Sequence, residues 1–204
     1  EKALSLNSRN ANAAHFFAHI LYEENEVSAG RDYLAAWMPN YDPRSLLYGH
    51  LSWHQALWAL QDGEESEMWK IVDASVSNEK GSSLPINALT DTASIYYRAE
   101  LAGIKVSTER WLKLSEYAAE KFPTMGQSFA DIHAGLAHAM AGNEEYLSKL
   151  IDGNSGFAGD IVPAVAKAWQ AISENKWDKA KIELENASSE FERLGGSRAQ
   201  RDLL

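Results

Sequence analysis

The chain has 204 residues, of which 45% are hydrophobic and 24% charged, a balance typical of a folded globular protein and not of a disordered one. Its formal net charge is −10, with acidic and basic side chains spread along the chain, so it lacks the basic surface that binds nucleic acid. No apolar run has membrane-spanning length and no basic, then apolar, leader opens the sequence. Cysteine is absent, which excludes disulfides and thiolate ligands and agrees with a reducing compartment. We therefore expect a soluble, cytoplasmic protein whose metal sites would use histidine and carboxylate ligands.

Apolar residues recur at three- and four-residue steps along almost the whole chain, and this period predicts helices. The predicted helices cover residues 10–25, 28–38, 44–62, 64–77, 86–102, 107–121, 127–141, 143–151, 158–174 and 177–194. Gly63, Gly103 and Gly142 stand where a helix is expected to end in a left-handed residue. Asp42 is the expected N-cap of the third helix, with Pro43 in its first position.

Taken in pairs, these helices form hairpins that begin near residues 10, 44, 86, 127 and 157. A period of about 30 to 42 residues is typical of stacked tetratricopeptide-like hairpins. The sequence therefore predicts an all-α superhelix of about five stacked hairpins, forming a single domain over residues 1–204. We expect this array to be truncated at both ends, and an open end of such an array would also support a homodimer.

Five segments carry a resemblance to a known family. They read HFFAHILYE, GHLSWHQALWAL, DTASIYYRAELAGIKVSTERW, ADIHAGLA and LGGSRAQRD. In this order and at these separations they resemble the tetratricopeptide repeat protein 38 family over nearly the whole chain. The resemblance implies an all-α helical repeat fold and carries no settled biochemical activity. Members of that family commonly have His or Asn where this chain has Arg198, and an acid near the position of Tyr22.

All the histidines fall on helices predicted to come first in a hairpin, which is the layer that lines the concave groove of such a solenoid. The first four form two pairs with a spacing of four residues, so each pair lies on one face of its helix. Asp91 and Asp131 also lie on first helices. The histidines are His15, His19, His50, His54, His133 and His138.

Three interpretations of these histidines remain open. Two histidines four residues apart can chelate a divalent metal ion, and a third histidine or Asp91 or Asp131 would complete a site with an open position for water. Without a metal, imidazoles beside carboxylates can perform acid–base chemistry near neutral pH. Alternatively, each histidine is a buried residue hydrogen-bonded to a neighbouring helix. The HExxH motif of zinc proteases is excluded, because Phe16 and Leu51 follow the first histidine of each pair.

The string LGGSRAQRD near the end of the sequence has two interpretations. Ser197 and Gln200 have the spacing of a helix capping box, and Arg201 with Asp202 would form a buried pair that locks the last hairpin onto its neighbour. In the other interpretation, the helix N-terminus binds an anionic group with Arg198 or Arg201 beside it.

Two functions follow from these observations. The first is a binding scaffold whose concave groove receives a peptide, protein or small-molecule ligand. The second is an enzyme of the metal-dependent or acid–base hydrolase type that uses the same histidines and aspartates. Convergence of the two histidine pairs with an acid would favour the enzyme. The candidate ligand-binding residues are His15, His19, His50, His54, Asp91, Asp131, His133, Arg198 and Arg201, and the candidate metal ligands are His15, His19, His50 and His54.

Overall fold

A computed structural model describes residues 2–77, 82–153, 156 and 159–204. Within these ranges the chain forms helices joined by turns and contains no strand, which confirms the predicted all-α class. The chain divides into two compact units, unit 1 (Glu1–Ile95) and unit 2 (Tyr96–Leu204). No helix in the described ranges is long and apolar enough to cross a membrane. The superhelix, the single domain and the resemblance to the repeat family stay predictions.

Unit 1 consists of consecutive helices that pack against their neighbours in the chain: α2 on α3, α3 on α4, and α4 on α5. Its core contains Leu21, Leu34, Leu51 and Trp58. The helices of unit 1 are α1 (Lys2–Leu6), α2 (Ala11–Glu23), α3 (Val27–Trp37), α4 (Tyr48–Gln61) and α5 (Glu65–Ile71), followed by a π-helical turn (Val72–Val76) and the first part of α6 (Pro85–Leu101).

Local sequence fixes the position of α2, the first helix of the candidate site. The side chain of Asn10 accepts a hydrogen bond from the backbone N–H of Ala13 at 3.0 Å and so caps the helix. Asn25 adopts a left-handed conformation with φ 57°, which ends α2 and turns the chain into α3. On α3, Gly30 lies against the indole ring of Trp58 from α4, so the two helices approach closely at that point.

Unit 2 is organised around α8, which contacts α7, α9 and α10, while α10 also packs on α11. α8 is buried along most of its length, which its many Ala residues and Gly135 permit. The indole N–H of Trp169 donates to the backbone carbonyl of Ile132 at 3.0 Å, joining α10 to α8. Unit 2 contains the end of α6, α7 (Thr108–Lys121), α8 (Ser128–Ala141), α9 (Glu144–Ile151), α10 (Val162–Ser173), α11 (Trp177–Ser188), a 3₁₀ turn (Phe191–Leu194) and α12 (Arg198–Arg201).

The predicted start of the third helix at residue 44 is wrong, because α4 begins at Tyr48. Asp42 accepts a hydrogen bond from the backbone N–H of Arg44 at 2.9 Å and pairs with its side chain, so it caps a turn and not a helix. The regular helix predicted over 177–194 ends at Ser188, before the 3₁₀ turn. Residues 78–81, 154, 155, 157 and 158, which include parts of predicted helices and turns, lie outside the described ranges.

The left-handed glycines are placed correctly. Gly63, Gly103 and Gly142 have φ values of 74°, 83° and 71°, each directly after the end of a helix or one residue beyond it. Glycine adopts this conformation without the steric penalty of a Cβ atom.

Candidate metal centre

The two histidine pairs predicted from the sequence converge on one point in unit 1. His15 and His19 project from α2, and His50 and His54 project from α4. Each imidazole offers one ring nitrogen, and these four nitrogens all lie within 4.8 Å of one another. The spacing of four residues aligns each pair on its own helix, and the packing within unit 1 brings the two pairs face to face.

Three of the four imidazoles are in direct contact. Nε2 of His15 lies 2.8 Å from Nε2 of His19 and 2.9 Å from Nε2 of His50. The ring of His54 lies close to the same point, with its centroid 4.6 Å from that of His19. The four rings thus form one cluster and not two separate pairs.

Asp91 orients one member of this cluster. Its Oδ2 atom lies 2.7 Å from Nδ1 of His50, and both side chains are buried. In this arrangement Nδ1 of His50 donates its proton to the carboxylate, which leaves Nε2 directed at His15. Carboxylates hold metal-binding histidines in the same way, fixing the tautomer and raising the basicity of the other nitrogen. Asp91 is therefore placed to orient a ligand and is not itself one of the four converging groups.

When the rings are neutral, only one of the two contacts of His15, with His19 or with His50, can have its own hydrogen bond. With Nδ1 of His50 protonated towards Asp91, its Nε2 carries a lone pair and accepts the Nε2 proton of His15. His15 then has no lone pair at Nε2 to accept a proton from His19, although the two nitrogens are 2.8 Å apart. A cation at the centre would interact with all the converging lone pairs at once. The four histidines could therefore hold a metal ion.

The surroundings of the histidines control their charge. Burial, together with the nearby His50 and His19, lowers the pKa of His15 to about 3. The pKa of His19 is also lowered by burial and by His50, against the opposing effect of Glu23 and Asp91. Burial by itself would lower the pKa of His50, but the charge and hydrogen bond of Asp91 together raise it. His15 and His19 are thus held in the neutral form that binds metals.

Two tryptophans of α4 surround the cluster on its buried side. The indole of Trp53 stacks on the ring of His50, with centroids 5.3 Å apart and planes inclined by 15°. Trp58 lies beside His54, with centroids 5.9 Å apart. These contacts restrict the orientation of both α4 histidines and surround them with apolar material.

One residue that bears on the cluster is not among the predicted site residues. Glu23 follows His19 by four residues on α2, so His15, His19 and Glu23 occupy one helix face. Its negative charge opposes the lowering of the His19 pKa, and its side chain is exposed. The spacing of four residues, already seen in HFFAH, was the signal that would have included it.

The remaining predicted acid and histidine lie in unit 2, where each has a local structural partner. The Oδ2 atom of Asp131 accepts a hydrogen bond from the backbone N–H of Gly126 at 3.0 Å, and burial raises the pKa of this carboxyl. Nδ1 of His133 donates to the carbonyl of Phe129 at 2.7 Å, and burial lowers the pKa of His133 to about 4. Asp131 thus holds the turn before α8, and His133 is bonded within α8 itself.

His138 also has a structural role. Its Nδ1 atom lies 2.8 Å from Oγ of Ser115, and its ring stacks on that of Tyr146. The amide of Asn143 donates to the same hydroxyl at 3.1 Å, so this network joins α7, α8 and the N-cap of α9. Burial, with a smaller effect from Lys149, lowers the pKa of His138 to about 4.

The C-terminal motif contains the predicted capping box. Ser197 accepts from the backbone N–H of Gln200, whose side chain accepts in turn from the N–H of Ser197. The predicted buried pair of Arg201 and Asp202 is wrong: Asp202 is exposed and is paired with Arg198 at 3.7 Å. Arg201 donates to the carbonyl of Gly196 at 2.8 Å and so closes the turn of its own motif.

Residues of α6 and α8 also hold this motif in place. The guanidinium of Arg98 donates to the carbonyl of Ala199 at 2.6 Å, and Gly196 lies against the ring of Phe129. These contacts account for the glycines, the serine and the glutamine of the motif by structure alone, and favour the capping interpretation over an anion site.

No protein-family model and no solved structure matches this chain. The function is therefore argued from the geometry of the histidine cluster.

Proposed function

We propose that this protein is a metal-dependent enzyme of the hydrolase type, in which His15, His19, His50 and His54 bind one divalent transition-metal ion. The observation that carries the proposal is the convergence of three Nε2 atoms on one another at 2.8 and 2.9 Å. Elsewhere in the described chain histidines bond one at a time to groups that are not histidines, as Nδ1 of His133 does to a carbonyl and Nδ1 of His138 to a hydroxyl.

The nature of the ligands indicates which ions would bind. Four imidazoles suit ions of intermediate softness such as Zn²⁺, Co²⁺, Ni²⁺, Cu²⁺ and Fe²⁺, whereas Mg²⁺ and Ca²⁺ prefer oxygen. The low pKa of His15 means that no proton has to be displaced from that ring at neutral pH. Asp91 behind His50 would strengthen the bond from that ligand to the ion.

The chemistry available at such an ion is activation of water or polarisation of a carbonyl or phosphoryl oxygen. A bound divalent ion would lower the pKa of a coordinated water towards about 7 and so supply hydroxide at neutral pH. In this proposal the exposed Glu23 is an acid on the same helix face as His15 and His19. In the alternative, a metal-free scaffold, the two short contacts of His15 with His19 and His50 would have to share a single proton between neutral rings.

Metal analysis of the purified chain, followed by thermal unfolding with and without a chelator, tests the proposal. We expect about one ion per chain and, at an ion concentration of about 100 Kd, a stabilisation of about 2.7 kcal/mol, which raises the melting temperature by about 5 to 11 °C. The double substitution of His15 and His19 by Ala should abolish both effects.

The control for that experiment is His138→Asn, which keeps a polar group near Ser115 and leaves the cluster intact. This variant should retain the ion even if it is less stable than the unsubstituted chain. Absence of a stoichiometric ion, or equal metal binding in the chain without His15 and His19, would contradict the proposal.

A further inference from the structure

We propose that the metal ion keeps a coordination position open on the α2 side of the cluster, and that a small neutral molecule with one metal-binding atom and an apolar ring occupies it, its ring resting on Phe16. This inference rests on the metal site proposed above. It names the class of molecule that the site would accept.

The two histidine pairs are unequally buried. His50 and His54 are 3% and 0% exposed, whereas His15 and His19 are half-buried. An ion between the pairs would therefore be enclosed by α4 and its tryptophans on one side and bounded on the other by two side chains that are partly exposed to solvent. Structural zinc sites have four protein ligands and are closed, while catalytic sites retain a position for water or substrate.

The ring nitrogens of three histidines are separated by short distances that can be compared with those between the ligands of a metal ion. With metal–nitrogen bonds of about 2.0 to 2.1 Å, two ligands at a right angle are about 2.9 Å apart, and two tetrahedral ligands are about 3.4 Å apart. Nε2 of His15 lies 2.8 and 2.9 Å from its two neighbours. This spacing is that of ligands at a right angle, and an ion with its ligands at right angles would have room for a further ligand beyond four histidines.

Two exposed apolar side chains of α2 lie next to the half-buried histidines in sequence. The ring of Phe16 is 69% exposed, and its centroid lies 6.3 Å from that of His15. Ile20 is 50% exposed and lies one helical turn further along α2, next to His19. An apolar strip thus runs along α2 beside the two half-buried ligands.

Charge selects a neutral molecule over an anionic one. Glu23 continues the helix face of His15 and His19 and is exposed, and its charge acts on His19. The chain as a whole carries a formal charge of −10. The negative charges of Asp91 and Glu23 together balance a divalent ion held by neutral histidines. A ligand that binds through a neutral nitrogen or oxygen therefore leaves the site uncharged, and its apolar ring gains contact with Phe16.

The experiment uses the full chain loaded with Co²⁺ and two probes, imidazole and 4-phenylimidazole. Binding of either probe to the ion is followed by the visible absorption of Co²⁺, which reports a change of its ligands. We expect both probes to change the spectrum, and 4-phenylimidazole to bind about 3 to 10 times more tightly because its ring packs on Phe16. Phe16→Ala should reduce this preference to about onefold.

Leu112→Ala is the matched control, since Leu112 is an apolar residue of α7 that is 44% exposed, and it should keep the full preference. Metal analysis of each variant after the titration shows whether Co²⁺ is still bound, so that a loss of preference for 4-phenylimidazole can be told apart from a loss of the ion. Failure of the unsubstituted chain to hold Co²⁺ contradicts the metal site. If Co²⁺ is bound but neither probe changes its spectrum, the open position is overturned and the metal site is not. Equal affinity for the two probes, or a preference that survives Phe16→Ala, overturns the contact with Phe16.

Discussion

Asp91 Oδ2 lies 2.7 Å from Nδ1 of His50, and both residues are buried within unit 1. The pair connects α6 to α4 and determines which nitrogen of His50 faces the other histidines. Because the carboxylate stabilises the Nδ1–H form, it keeps Nε2 available as a ligand.

We predict that Asp91→Asn lowers the affinity for Co²⁺ or Zn²⁺ about 10- to 100-fold while the ion is still bound by the four histidines. The amide of Asn can still accept the proton of His50 but lacks the charge that raises ligand basicity. Isothermal titration measures the affinity, and the Co²⁺ spectrum shows whether the ligands are unchanged. Asp32→Asn, an exposed substitution on α3, should have no effect. Equal affinities for the two variants would show that Asp91 does not act on the metal.

The contact between α3 and α4 supports the cluster from behind and gives a second prediction. A Cβ atom added at Gly30 would overlap the ring of Trp58, which is 1% exposed and lies beside His54. Alanine gains about 1 kcal/mol of helix propensity over glycine, yet overpacking against a rigid buried ring costs about 1 to 3 kcal/mol. We expect Gly30→Ala to lower the free energy of unfolding, measured by urea titration with circular dichroism, and to weaken metal binding.

Gly135→Ala is the matched substitution in unit 2. There the added Cβ would come within 3.3 Å of the terminal carbon of Leu150, a flexible side chain that can adjust. This variant should be neutral or slightly stabilising. If Gly30→Ala behaved in the same way, the close approach of α3 and α4 would have no bearing on stability.

The pKa of His138 gives a prediction about acid stability. This pKa is about 4 in the folded chain, against an ordinary value of 6.5, so the unfolded chain binds more protons between these values. The free energy of unfolding therefore falls as the pH drops below 6.5, by about 2 kcal/mol at pH 5 from this residue. Urea titrations at pH 7 and pH 5 should show the loss.

His138→Asn isolates this contribution because it removes the titrating group and leaves His133 in place. The variant should lose about 2 kcal/mol less than the unsubstituted chain between pH 7 and pH 5. An identical pH dependence in the two chains would mean that His138 is protonated as easily in the folded state as in the unfolded state.

The turn before α12 supplies a fourth prediction. Gly196 has φ 78°, and a Cβ atom there would overlap the ring of Phe129. Gly63 has a similar φ of 74°, but a Cβ atom there would meet no atom within 4 Å. Gly63→Ala should therefore report backbone strain alone, about 1 kcal/mol, and Gly196→Ala should lower stability by at least a further 1 kcal/mol. Equal losses would show that the contact with Phe129 contributes nothing.

The features that sequence predicted well are those determined within one helix or turn. The shared faces of His15 with His19 and of His50 with His54 follow from the helical repeat. The capping box of Ser197 and the left-handed glycines follow from local hydrogen bonding and steric freedom. The start of α4 was mispredicted because Asp42 offers the same local signal to a turn as to a helix, and only packing distinguishes them.

The composition of the cluster required information that no local pattern contains. Whether the α2 and α4 pairs face each other depends on how the helices of unit 1 pack, and the chain between His19 and His50 gives no direct sign of it. Asp91 and Asp131 were equivalent candidates in sequence, yet one orients a histidine and the other caps a turn. A position 41 residues away from His50 becomes its partner only through the folded arrangement of α4 and α6.

The stacking of Trp53 on His50 gives the cluster an optical reporter. An indole in van der Waals contact with a ligand lies within a few ångströms of any ion that the ligand holds, and paramagnetic ions quench the fluorescence of such a neighbour, whereas Zn²⁺ has a filled d shell and does not. Tryptophan emission from this chain should therefore fall when Cu²⁺ or Co²⁺ binds at the proposed site and stay unquenched when Zn²⁺ binds there. Occupancy of the proposed site can be followed without a label through the contribution of Trp53 to the emission, because this indole stacks on His50.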